Sequence, residues 1–157
     1  MYQHGQMVVY GSHGVCKLID IETRNVDKKD VEYYALEPTS QQGTRFYVPV
    51  HNKAVAGKLR NLLSREQWNA LIADTMLHFD AWVPDENRRV AQYREIINRA
   101  DPRELMTIVR LLRNHREKQI AAGRKFHISD ATILKNAESL ISAELQYVMG
   151  ADYNDIF

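Results

Sequence analysis

One change of hydrophobic period divides this chain of 157 residues. Up to about residue 64, apolar residues come in short runs or alternate with polar ones, the period-two pattern of half-buried strands. Beyond it they recur every three or four residues, the pattern of amphipathic helices. A segment cannot serve both periods. The change therefore predicts an α+β protein in two domains, residues 1–64 and 65–157.

In the first part, "VVYGSHGVCKLIDIE" (8–22) interrupts an apolar run with Gly11-Ser12-His13-Gly14. Glycine tolerates positive φ, and Ser and His can bond locally to the backbone, so these four residues predict a tight connection between strands. Within the second run Val15, Lys17, Ile19 and Ile21 share one face and Cys16, Leu18 and Asp20 the other, which fits a half-buried, curved strand. "VEYYALEP" (31–38) and "GTRFYVPV" (43–50) continue the series, joined by a polar turn. Short strands at this spacing favour a small, strongly bent antiparallel β-barrel. About 60 residues bury only a thin core.

The second part predicts four helices. Ser64 and Gln67 form a capping-box pair, followed by Trp68, Leu71, Ile72 and Thr75 on one side. Pro84-Asp85 suits a second start, with Val90, Tyr93, Ile96 and Ile97 as its stripe. Asp101-Pro102-Arg103-Glu104 combines a cap, an N1 proline and an acid; Leu105, Ile108, Val109 and Leu112 turn inward and leave Arg103 and Arg110 on the opposite side. Gly123 ends that helix, Ser129 starts the last, and Gly150 closes it. Ile133, Leu134, Ala137, Leu140, Ile141, Glu144 and Leu145 are spaced for packing. An all-α helical bundle follows.

The net charge of +1 conceals an uneven distribution. Between Glu86 and Lys125 stand eleven basic residues against five acidic ones, an excess of six positive charges, and nine of the eleven are arginines. Such a field bears on partners, and the planar guanidinium suits phosphate. Trp82, just before the first arginines, has two readings: a core anchor of the bundle, or an exposed wedge against bases. Its large apolar area favours the core.

Catalysis finds little footing. His4, His13, His51, His78, His115 and His127 never fall three or four apart, so zinc ligation is not expected. Gly11 and Gly14 sit between two strands and open no helix, which argues against a phosphate loop. Cys16, the single cysteine, reads as a small buried apolar residue and excludes an internal disulfide. No apolar run approaches the length of a membrane span, and the first residues lack an export leader, so a cytoplasmic protein without cofactor, metal or small-molecule substrate is expected.

The pattern "GQMVVYGSHGVCKLIDIETR", with "RFYVPV" about twenty residues later and then the helical part, resembles the CarD family of bacterial transcription regulators. The resemblance implies a Tudor-like barrel that binds the RNA polymerase β subunit, followed by a helical domain that binds promoter DNA near the upstream edge of the melted region without reading much sequence. Arg24 matches an arginine that contacts polymerase in relatives. A second such arginine falls at Tyr47, and Arg45, two residues away on the same strand face, is placed to substitute. Arg88 and Arg89 match an Arg-Arg pair that follows a wedge tryptophan; equating that tryptophan with Trp82 requires an insertion, "VPDE". Where the family often has proline after Val-Tyr, this chain has Gly11.

The expected function is a transcription regulator that holds polymerase through Arg24, Arg45 and Tyr47. It contacts DNA through Trp82, Arg88, Arg89, Arg103, Arg110 and Lys125, and stabilises the open promoter complex. The alternative is a protein–protein adaptor without DNA binding. An enzyme comes third, with His13, Cys16 and His51 as its only foothold.

Overall fold

A computed structural model of the chain describes residues 1–74 and 82–155. The chain divides into two compact units, Met1–Leu62 and Leu63–Phe157.

The first unit holds an antiparallel sheet of five strands: β1 (Met7–Tyr10), β2 (Val15–Val26), β3 (Lys29–Pro38), β4 (Phe46–Pro49) and β5 (Leu59–Asn61). Their order is β4-β3-β2-β1-β5. The end strands β4 and β5 are not paired with each other, so where a small, strongly bent barrel is expected the sheet is not closed. The edge strand β5 and the short helix α1 (Lys53–Ala56), capped by the Asn52 side chain, went unanticipated, because three- and four-residue elements carry too little periodicity to read.

The glycine-containing connection is a single 3-10 turn, Gly11–His13. Gly11 and Gly14 both have positive φ, and Gly14 at φ 73°, ψ −147° occupies a region in which a side chain is strained. The turn also carries a ring contact: His13 lies 4.2 Å from Phe46 and 5.2 Å from Tyr10, between centroids.

The curvature of β2 has a specific origin. Leu18 pairs with Leu36 and Asp20 with Ala35, so Ile19 is an extra residue, a β-bulge. The bulge reverses the alternation. Cys16 and Leu18 point into the core before it, whereas after it Ile21, itself exposed, pairs with the core residue Tyr34 and so shares their sheet face, parting from Val15, Lys17 and Ile19. The one-face grouping expected for Ile21 is thus corrected. Val8, Cys16, Leu18, Tyr34, Leu36, Val48 and Leu59 form the buried cluster.

The second unit contains α2 (Arg65–Ala73), α3 (Glu86–Arg99), α4 (Pro102–Ala121) and α5 (Ile128–Met149). All four contribute to one core, with Trp68, Leu105, Ile108, Leu112, Ile141 and Leu145 almost wholly buried. The capping box at Ser64 and Gln67 is complete. Asp85 and Asp101 cap α3 and α4 by accepting from the amides of Arg88 and Glu104. Helix α4 ends in a Schellman motif: Gly123 adopts φ 70°, its amide bonds the Ile120 carbonyl, and the Arg124 amide bonds the Gln119 carbonyl. Helix α5 begins one residue before the expected Ser129, which is no cap; its hydroxyl donates to Glu86 at 2.9 Å and ties the starts of α3 and α5 together. Thr75 and His78 lie outside the described residues. No helix among the described residues is long and apolar enough to cross a membrane.

Candidate functional site

In the sheet unit, Arg24 and Tyr47 come together. Arg24 is on β2 and Tyr47 on β4, with β3 between them. The Arg24 guanidinium carbon sits 3.8 Å from the Tyr47 ring centroid and 5.8 Å from that of Tyr33. Nε and Nη2 of Arg24 both donate to Glu22. A cation held over an aromatic face, about half exposed, is a preorganised surface contact. Arg24 and Tyr47 were expected to be two separate anchors, yet they form one. Arg45 is exposed and lies one residue before β4.

In the helical unit the candidate residues separate into two places. Arg88 is exposed in the first turn of α3, and Lys125 is exposed in the loop that joins α4 to α5. The two regions adjoin, because Glu86 accepts from Ser129 and lies 4.0 Å from His127. Trp82 belongs to the same end. Its indole is partly buried against the helical core, 4.2 Å from the His115 ring, which in turn lies 6.3 Å from Phe126. Arg103 and Arg110 lie elsewhere. Arg103 pairs with Asp74 at 3.0 Å, and Arg110 donates to the backbone carbonyls of Ile72 and Asp74, so both brace the end of α2.

Arg89 is the clearest correction. It was expected on the DNA-facing surface, but it is 3% exposed. Nε and Nη2 donate to the two carboxylate oxygens of Asp130, at 2.9 and 2.8 Å, and Nη1 donates to the carbonyls of Val83 and Pro84. Asp130, in the first turn of α5, is completely buried. The bond to Asp130 holds Arg89 charged against the burial that opposes it. Every third or fourth residue of α3 faces inward, and the buried set is Arg89, Tyr93 and Ile97. Hydrophobic periodicity overlooked Arg89 because the residue at the stripe position is charged. Asp130 was missed as well, although its spacing from Ile133, Leu134 and Ala137 is the signal that could have found it.

Burial raises the Cys16 thiol to about 11, and its Sγ donates to the Gly14 carbonyl. A thiol so placed is a poor nucleophile. His51 pairs with Glu32 at 3.1 Å, and His13 packs on Phe46; each member of the suspected constellation is engaged separately. No cluster of three or more His, Cys, Asp or Glu placed to hold a metal occurs among the described residues.

Residues 2–62, which span the open sheet and the Arg24–Tyr47 contact, match the family model of the CarD-like/TRCF RID domain. RID denotes an RNA polymerase-interacting domain, so the class of this unit is that of a polymerase-binding, transcription-related module. The match shows a CarD-like domain in that unit. No curated protein matches it.

Proposed function

We propose that the sheet unit docks on the β subunit of RNA polymerase and that the helical unit then contacts promoter DNA near the upstream edge of the melted region, stabilising the open complex. The RID match over residues 2–62 carries this reading, with Arg24 stacked on Tyr47 as the anchor. Tyr and Arg are the residue types that dominate protein interfaces, and a guanidinium that already rests on a ring loses little freedom on binding a carboxylate. Docking supplies effective concentration, so weak, sequence-independent DNA affinity suffices. The end of the helical unit that gathers Trp82, Arg88 and Lys125 is the DNA-facing surface in this account. Arg103 and Arg110 remain structural braces. A tenfold shift toward the open complex requires only about 1.4 kcal/mol of additional contact there. No cofactor enters.

Retention of the full chain on purified β subunit tests the anchor: Arg24→Glu and Tyr47→Ala should each abolish retention at moderate salt. Undiminished retention of both would remove the sheet unit from the interface.

A second reading, an adaptor that joins two proteins without DNA, draws on one observation. Arg89, Arg99, Arg103 and Arg113 all pair with carboxylates inside the helical unit, so the positive field in space is weaker than the sequence excess. That reading requires no DNA association at any salt concentration.

A further inference from the structure

We infer that the buried Arg89–Asp130 pair is a positioning device that fixes how Trp82 is presented at the surface of the helical unit. Arg89 reaches three parts of the chain at once. Its bidentate bond to Asp130 joins α3 to the first turn of α5, its Nη1 gathers the carbonyls of Val83 and Pro84, and its guanidinium carbon lies 4.6 Å from the centroid of Trp82. The residues next to Trp82 are therefore held by the backbone while its ring rests on the same cation.

Two further groups reinforce the hold. Tyr93, one turn beyond Arg89 on α3, accepts a hydrogen bond at its phenol oxygen from the Val83 backbone, and burial pushes that phenol up to about 12. His115 packs its ring against the indole from α4. A segment without regular secondary structure is thus pinned by α3, α4 and α5 together. Such redundancy exceeds what a chain reversal needs. It suits a side chain that must meet a partner in one orientation, because a planar fork loses little freedom for each bond it makes. Lysine could carry the charge but could not hold two carboxylate oxygens and two carbonyls in one plane.

The chain contains two tryptophans, which makes the test internal. Trp68 is fully buried in the helical core and reports its integrity, whereas Trp82 reports its own presentation. The full chain is labelled with 5-fluorotryptophan, and the fluorine resonances are assigned with Trp82→Phe. Arg89→Lys should leave the Trp68 resonance in place and shift or broaden that of Trp82. If both resonances move together, Arg89 is a general core strut and the inference fails; it fails equally if neither moves. Should Arg89→Lys not fold, Asp130→Asn preserves the shape of the acceptor and poses the same question.

The second arm rests on the reading of Trp82 as a DNA contact and uses a duplex with a short unpaired bubble as the probe. Arg89→Lys should weaken association about tenfold, as Trp82→Ala does, and the double variant should be no weaker than either. Additive losses would mean that Arg89 acts independently of Trp82. Absence of association by the wild type would sink the DNA reading while the fluorine arm still decides the positioning claim.

Discussion

Arg88 and Arg89 are adjacent and chemically identical, yet their surroundings give them opposite work. Arg88 is exposed, and Arg89 is enclosed with a carboxylate. Removing one partner of a buried, hydrogen-bonded pair leaves the other charge without compensation, so Arg89→Ala and Asp130→Ala should each destabilise the helical unit by about 3–5 kcal/mol. Arg88→Ala should change it by less than about 0.5 kcal/mol. Urea titrations followed by far-ultraviolet circular dichroism compare the three. A second residue-scale prediction concerns Cys16, whose thiol is raised by burial from about 9 to about 11. The neutral thiol is favoured in the folded state, so its contribution is intact below pH 9 and is lost as pH rises from about 9 to about 11. Stability of the wild type should fall through that window, and Cys16→Val, similar in size and unable to ionise, should flatten the fall.

At the scale of elements, the β2–β3 hairpin makes a separable test. Val26 pairs with Lys29, which leaves Asp27 and Lys28 as a two-residue turn, both with positive φ. Twisted strands require such a turn, and glycine adopts it more readily than lysine. Lys28→Gly should stabilise the sheet unit by about 1 kcal/mol, read from the midpoint of chemical unfolding. The same elements locate what the residues alone could disclose. Caps at Ser64, Asp85 and Asp101 and the glycine after α4 were legible because each acts through local backbone bonds. The bulge at Ile19 was not, since an extra residue is defined only against the strand opposite. Ser129 shows the same limit: its partner, Glu86, is forty-three residues distant in sequence. On the site, Arg24 and Tyr47 were legible as individuals, but their stacking across β3 belongs to the pairing register.

At the scale of the whole molecule, charge counted along a sequence overstates charge in space. Asp74, Asp130 and Glu138 all lie outside the basic stretch from Glu86 to Lys125, yet each neutralises an arginine within it. In the proposed account an external polyanion meets Arg88 and Lys125, both exposed, beside Trp82. Reversing both charges together, Arg88→Glu with Lys125→Glu, should make the slope of log affinity against log salt shallower by about 2, with the fold unchanged by circular dichroism. An unchanged slope would place the DNA-facing surface on another side of the helical unit.

The enclosed guanidinium has a practical implication for anyone mapping this chain by mutagenesis. A screen scored on lost binding would rank neighbouring arginines as equals, although one greets solvent and the other is a keystone. Only a thermal melt run alongside each binding curve can tell a severed handshake from a sagging arch.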